Sequence, residues 1–166
     1  VVGSKQNLAV KIGTHTAPTT IDVEVYDYIS AHTITKPSNT VYNYNTNMSL
    51  TGGRLNFTWH SGSGSPSTVN LSDSSVTLSG YNKTTIGIQP ITDTYIAKYP
   101  LSDGTYVNDT ITETFNVEVT NYAKSISITA PTKTAYNHGD SLNLAGGQIE
   151  VTYEDGTKGY PSMLAM

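Results

Sequence analysis

The chain contains no cysteine and little charge. Only nine residues are Lys or Arg and thirteen are Asp or Glu, which gives a formal net charge of −4 over 166 residues. Without cysteine, disulfides are excluded, and the fold must be stabilised by packing and by hydrogen bonds within sheets. There is no basic patch that could hold a phosphate backbone and no acidic run that would bind cations in bulk. These shortages argue against nucleic acid as a partner.

Long apolar segments are also missing. No run of 18 apolar residues occurs, so we expect no direct insertion into a membrane. The chain begins Val1-Val2-Gly3-Ser4, which resembles neither an initiator Met nor a signal peptide. We therefore expect a chain that was processed, trimmed or cut from a longer one.

What the sequence does contain is an internal repeat. Residues 21–59 recur without a gap at residues 115–153, at a constant offset of 94 residues. The match covers apolar positions and turn glycines alike, since Gly52-Gly53 falls on Gly146-Gly147. Self-similarity at a fixed offset indicates a duplicated structural unit. A unit of about 95 residues has the size of a small β-sandwich.

Apolar and polar side chains alternate along most of the chain, for example over 21–25 and 115–119. A period of two places one face of a strand on a core and leaves the other face in water. No segment of ten or more residues keeps a helical period, and turn pairs such as Asp103-Gly104 separate the alternating stretches. The pattern predicts an all-β fold, built as antiparallel β-sandwich units. The interior residues that it predicts are Leu55, Phe57, Trp59, Ile111, Phe115, Val117 and Val119.

The ends of the chain fall within repeats. Residues 30–122 make one complete domain, whereas 1–29 match the C-terminal strands of a preceding repeat and 123–166 match the N-terminal strands of a following one. Each fragment would expose half of a core and an unpaired sheet edge, so we expect another copy or flanking sequence to complete it. The predicted junction side chains are Leu8, Val10, Ile12, Ile21, Val23 and Val25 in the first fragment, and Ile126, Ile128, Leu142, Leu144, Ile149 and Val151 in the last.

The middle repeat carries a hairpin at 91–112 that is about ten residues longer than its N-terminal counterpart. Tyr95, Tyr99, Asp103 and Tyr106 lie on it. Exposed aromatic rings give rigid contact area at low entropic cost, or stack on a sugar. The hairpin is therefore a candidate interaction surface, with plain strand packing as the alternative role of its tyrosines.

No catalytic constellation is visible, and the chain is predicted not to be an enzyme, with no catalytic or cofactor-binding residue. The four histidines, His15, His32, His60 and His138, have no metal-ligand spacing, and no nucleophile elbow occurs. Carboxylates cluster only loosely, as at Asp93, Asp103 and Asp109. These could contribute oxygen ligands to calcium, but Asp is more common as a turn residue, so no metal residue is assigned.

The buried acid that an intramolecular Lys–Asn isopeptide bond would need is not evident from the pattern. Glu24 and Glu118 sit at alternate, outward positions between valines that are predicted to face the core.

Several segments carry a family resemblance. They are Ile126-Ser-Ile-Thr-Ala-Pro131, Lys133-Thr-Ala-Tyr136, Ile149-Glu-Val-Thr-Tyr153, Val76-Thr-Leu-Ser-Gly80 and Phe115-Asn-Val-Glu-Val119. With the repeat in frame, the sequence resembles the bacterial immunoglobulin-like (Big) domains, most closely their third group. The middle copy departs from that pattern at Asn45-Thr46 and at His60-Ser61-Gly62. The resemblance implies Ig-like antiparallel β-sandwich repeats in a linear array, in an extracellular bacterial surface or appendage protein or a phage virion.

The sequence thus predicts a structural Ig-like repeat of an extracellular surface protein or filament. Its partial ends are completed head-to-tail by other copies of the chain or by flanking repeats. One alternative is an adhesin or carbohydrate-binding module that uses the hairpin at 91–112 to bind a host surface or a glycan. Another is an Ig-like decoration protein of a phage capsid or tail.

Overall fold

The computed structural model describes residues 4–163, and within these residues the chain is all-β, as predicted. Twelve strands follow one another in the described part of the chain, and it contains no helix. They are β1 (Ser4–Ile12), β2 (His15–Val25), β3 (Ile29–Thr35), β4 (Val41–Asn43), β5 (Arg54–Trp59), β6 (Thr68–Asn70), β7 (Val76–Ser79), β8 (Gly87–Pro100), β9 (Tyr106–Thr120), β10 (Ala123–Thr129), β11 (Gln148–Tyr153) and β12 (Lys158–Gly159).

The strands form four sheets. Their strand orders are β1-β2, β3-β5-β6, β4-β9-β8-β7 and β10-β11-β12. The short strand β4 runs parallel to β9, with Val41 opposite Glu118 and Tyr42 opposite Val119. Strands β3 and β6 both lie antiparallel to β5, and β7 lies antiparallel to β8. The central part of the chain therefore contributes one three-stranded and one four-stranded sheet.

The chain divides into two compact units whose boundaries cut across the sequence. The first comprises the residues up to Asn39, Ser49–Gly80 and Pro90–Asn116, and the second comprises Thr40–Met48, Tyr81–Gln89 and the residues from Val117 onward. The division into 1–29, 30–122 and 123–166 stays a prediction, and residues 1–3 and 164–166 lie outside the described part.

The core of the first unit is built from inward rows on β5, β8 and β9. Leu55 and Phe57 of β5 are buried, and the rings of Phe57 and Tyr95 of β8 stack with centroids 5.2 Å apart. Side chains of the three-stranded and four-stranded sheets therefore contact each other there. Of the interior residues that alternation predicts, four are buried in this unit and two in the second unit: Leu55, Phe57, Ile111 and Phe115 in the first, and Val117 and Val119 in the second.

Trp59, also predicted to lie in the core, is only half-buried. Its ring lies beneath the backbone of Gly64, where a Cβ atom would come within 2.0 Å of Trp59 Cδ2. The indole Nε1 donates a hydrogen bond to the carbonyl of Pro66 at 3.0 Å. The Gly/Ser loop thus covers the ring, and glycine is required at position 64 because any side chain would collide with the indole.

In the second unit, Tyr42 is buried and meets the Tyr81 ring edge-on at a centroid distance of 5.9 Å. Gln89 is buried as well, and its amide holds the preceding loop. Its Oε1 accepts from Asn82 N at 2.7 Å, and its Nε2 donates to Asn82 O at 2.8 Å. This buried polar side chain therefore has both of its hydrogen-bonding groups satisfied.

Two strand pairs that lie 94 residues apart have the same register. In β3–β5, Ile34 is opposite Leu55, and in β10–β11, Ile128 is opposite Ile149. The register shifts occur at corresponding places, between Ile29 and Ala31 and between Ala123 and Ser125. The β-bulge is therefore placed at the same point in both pairs.

The glycine turns before β5 and β11 also match. Gly52 and Gly146 have φ values of +81° and +82°, a conformation that side chains disfavour. In both turns the second glycine donates its N–H to the carbonyl three residues earlier, at 3.0 Å from Gly53 to Leu50 and 2.9 Å from Gly147 to Leu144. The same backbone hydrogen bond therefore closes both turns.

Gly52→Ala is expected to lower the free energy of unfolding by about 2–3 kcal/mol, because it combines strain at positive φ with loss of a hydrogen bond. A Cβ at Gly52 would lie 2.9 Å from Ser38 Oγ, which donates to Thr51 O at 2.7 Å. Gly104→Ala is the control, since Gly104 has a φ of +85° and open space around it, and should cost only about 1 kcal/mol. Urea unfolding followed by Trp59 fluorescence measures both, and equal losses would contradict a role for the Ser38 contact.

Candidate functional site

The hairpin β1–β2 presents an apolar face that no other strand covers in the described part of the chain. Leu8 lies opposite Ile21, and Gln6 lies opposite Val23 on the same face. The six predicted junction side chains of this hairpin are between 39% and 81% exposed. They are Leu8, Val10, Ile12, Ile21, Val23 and Val25. We call this surface the hairpin face.

The sheet β10–β11–β12 presents a second apolar face. Ile126 is opposite Val151, and Ile128 is opposite Ile149. Ile126 and Ile128 are 64% and 69% exposed, and Leu142 is exposed as well. Leu144 and Ile149 are half-buried, and Val151 is buried. This surface, which we call the sheet face, is therefore open mainly along β10.

The same positions in the middle repeat are buried. Ile21, Val23 and Val25 of β2 correspond, 94 residues later, to Phe115, Val117 and Val119 of β9, which are only 1–3% exposed. Residue type and alternation are nearly the same in the two strands, so the difference lies in what covers them. A contiguous exposed apolar surface of this kind is a candidate interaction site.

The long hairpin β8–β9 uses two of its predicted interaction tyrosines for packing. Tyr99 is buried, accepts a hydrogen bond from Ile29 N at 3.2 Å, and donates to Asp109 Oδ2 at 3.4 Å. Tyr95 is half-buried against Phe57. Burial raises the pKa of both hydroxyls. Tyr106, by contrast, is 57% exposed and offers its ring to solvent.

The tip of this hairpin contacts strand β2. Ser102 donates to the Glu24 carboxylate from its amide and from its hydroxyl, the latter at 3.0 Å. Asp103 shapes the turn by accepting from the Thr105 hydroxyl at 2.6 Å and the Thr105 amide at 2.9 Å. These two bonds lower the pKa of Asp103. The extra length of the hairpin thus brings Ser102 to a residue of the 1–29 segment.

A buried acid that sequence reasoning missed lies in β8. Asp93 has an exposed fraction of 0%, and neither of its carboxylate oxygens accepts a hydrogen bond from another described residue. Burial is the main cause that raises its pKa to about 6; its own backbone N–H acts to lower the pKa, the nearby Glu113 acts to raise it, and His32 acts to lower it. His32 Nδ1 and Glu113 Oε1 are 2.8 Å apart. The alternation of Gln89, Ile91 and Asp93 along β8 was the signal that could have placed this aspartate inside.

The remaining histidines do not converge. The His60 ring stacks on Tyr28 at 5.0 Å, and His15 and His138 are exposed. Among residues 4–163, no three His, Asp or Glu side chains come together in a way that could hold a metal ion. That same part of the chain forms no helix with the length and apolar character needed to cross a membrane. No family model, curated protein or solved structure matches the chain.

Asp93→Asn should stabilise the protein at pH 7.5 by about 3 kcal/mol, because it removes a buried charge without changing the shape of the side chain. The pKa of Asp93 in the folded protein is raised to about 6, above its ordinary value. Proton binding therefore contributes fully to the unfolding free energy below a pH of about 4, and this contribution is lost as the pH rises through 6. The difference in unfolding free energy between variant and wild type should therefore grow over this range. Asp22→Asn, at an exposed position, is the control. A difference that does not change with pH would show that Asp93 ionises normally.

Val117→Ala and Val23→Ala make the same change at corresponding positions of the repeat. Val117 is 1% exposed, so its truncation should cost about 2 kcal/mol in urea unfolding monitored by Trp59. Val23 is 39% exposed, and its truncation in dilute, dissociated protein should cost less than about 0.5 kcal/mol. Equal costs would mean that the hairpin face is already covered within a single chain.

Proposed function

We propose that this chain is a structural, Ig-like β-sandwich repeat of an extracellular bacterial surface protein or filament. Its partial repeats at 1–29 and 123–166 are completed head-to-tail by neighbouring copies or by flanking repeats. The observation that supports this most is the contrast between Val23 and Val117. The same residue type in the same strand pattern is exposed in one place and buried in the other.

The sandwich part of the proposal is supported by contacts between the two central sheets. Phe57 of β5 stacks on Tyr95 of β8, and His32 of β3 pairs with Glu113 of β9. The repeat part is supported by the matching registers of β3–β5 and β10–β11 and by their matching glycine turns. Sandwich units of this kind bury one face of each sheet against the other.

The two open faces are complementary halves of one such unit. The hairpin face corresponds to β8–β9 and the sheet face to β3–β5, which are the elements that contact each other in the middle repeat. Burying six side chains at about 1.5–3 kcal/mol each gives roughly 9–18 kcal/mol before association costs. A junction of this size is persistent, and because it joins two different surfaces it propagates into a linear array unless the rotation closes.

A spacer role agrees with the long hairpin better than a recognition role does. Tyr95 and Tyr99 contribute to the interior, and Ser102 contacts Glu24, so the hairpin packs against its own chain. Tyr106 is the remaining exposed ring among the hairpin residues singled out from the sequence. The low charge, the lack of cysteine and the resemblance to bacterial Ig-like domains are the basis for proposing a surface location.

Val23→Lys combined with Val25→Lys should abolish association, because two ammonium groups would have to be buried in the junction. Sedimentation velocity should show polymers for the wild-type chain and monomers for the variant, while Trp59 fluorescence shows that the middle repeat stays folded. Asn7→Lys with Thr20→Lys adds the same charge on the opposite face of the hairpin and should still polymerise. A monodisperse wild-type monomer with both ends protected from hydrogen exchange would contradict the proposal.

A further inference from the structure

We propose that residues 135–137 of one copy of this chain add as a parallel strand to the edge of β2 in a second copy. Ala135 would lie opposite Glu24, Tyr136 opposite Val25 and Asn137 opposite Tyr26. This inference rests on the proposed head-to-tail completion and specifies its backbone register, which the packing of apolar faces alone does not fix.

The middle repeat supplies the template. Strand β4 lies parallel to β9, with Val41 opposite Glu118, Tyr42 opposite Val119 and Asn43 opposite Thr120. The pairing is closed at its two ends by backbone bonds from Glu118 N to Thr40 O at 2.8 Å and from Tyr44 N to Thr120 O at 2.9 Å. A shift of 94 residues places β4 on 135–137, and a shift back by 94 places 118–120 on 24–26.

Residues 135–137 form no strand in the structure, although a turn follows them as it does after β4. Asp140 N donates to Asn137 O at 3.1 Å, as Thr46 N donates to Asn43 O at 3.1 Å after β4. Gly139 has a φ of +89°, and Asn45, at the corresponding position, has a φ of +62°. The turn beyond the segment is therefore the same whether or not a partner strand is present.

The segment itself is held in place by Tyr136. Its hydroxyl accepts from Asn143 N at 2.9 Å and donates to Asn143 O at 2.8 Å. Tyr136 is half-buried, whereas Tyr42, its counterpart in the middle repeat, is buried. A strand that docks already anchored loses less entropy on binding. The remaining exposed area of Tyr136 is what the hairpin face of a second copy would cover.

The receiving edge is open in the described residues. Strand β2 pairs with β1 alone, so its other edge presents unpaired N–H and C=O groups, which are the standard template for strand addition. Val25 and Val23 point to the hairpin face, so a strand added at Val25 brings Tyr136 onto the same apolar layer. The proposed partner is therefore a second copy of this chain, because its own middle repeat shows both halves of the interface joined.

The test uses the natural absence of cysteine. Glu24→Cys with Ala135→Cys, oxidised in the assembled state, should give a ladder of covalent oligomers on a non-reducing gel. Neighbouring strands bring Cα atoms to about 5 Å, within the range that a disulfide spans. The control is Asp22→Cys with Ala135→Cys, because Asp22 lies on the same outward face of β2 as Glu24 but two residues away. This variant should give no ladder above the background of the single-cysteine variants. Val41→Cys with Glu118→Cys should close within one chain and confirms that the parallel geometry allows the bond.

The outcomes separate this inference from the proposed function. If polymers form but the Glu24→Cys/Ala135→Cys variant gives no ladder, the proposed register is wrong. The register is also wrong if the Asp22→Cys/Ala135→Cys variant gives the ladder instead. Either result would leave head-to-tail assembly itself uncontradicted. A cross-linked monomer would show that the segment pairs within its own chain and would overturn the second copy as partner. A wild-type chain that forms no polymer would overturn the second copy as partner, and if both of its ends were also protected from hydrogen exchange it would remove the proposed function as well.

Discussion

The constraint on which this structure depends is the covering of one sheet's apolar face by another sheet. In the middle repeat, Phe57 of β5 stacks on Tyr95 of β8 where two sheets meet, and Val117 and Val119 of β9 are buried. The hairpin β1–β2 has the same alternation but no covering layer, and its valines stay in water. A two-stranded hairpin is marginally stable on its own, because little of its apolar surface leaves water. A layer over this face would therefore add the burial that the hairpin lacks on its own.

Local and non-local interactions determine different features of this structure. Gly52 and Gly146 adopt nearly the same φ, and the strand pairs that contain β5 and β11 share one register, although the side chains around the two segments differ in burial. Turn geometry and register are thus set by nearby residues. Burial is set by distant ones, as the half-buried Tyr136 and the buried Tyr42 show. Preformed halves of this kind need little rearrangement to join, which lowers the ordering cost of association.

This division also explains how far the sequence could be interpreted. The all-β class, the glycine turns and most of the core row on β5 and β9 follow from alternation and turn chemistry, and they were predicted correctly. The Ser102–Glu24 contact and the interior position of Tyr99 could not be predicted, because they depend on which segments meet across 78 and 70 residues of sequence. The half-buried Trp59 belongs to the same group, since a loop and not a sheet covers its ring.

Charge has little part in the proposed assembly, and that has consequences for its behaviour. Only 13% of the residues are charged, so we expect little electrostatic steering of two copies and association at the ordinary rate of about 10⁵–10⁶ M⁻¹s⁻¹. The persistence of the array must then come from slow dissociation of an apolar junction, which salt screens hardly at all. The buried Asp93 lies in the middle repeat, away from both open faces in sequence, so its protonation acts on the stability of the repeat unit. A filament built in this way would lose stability inside its units as the pH rises through 6, while the junctions between units kept their strength.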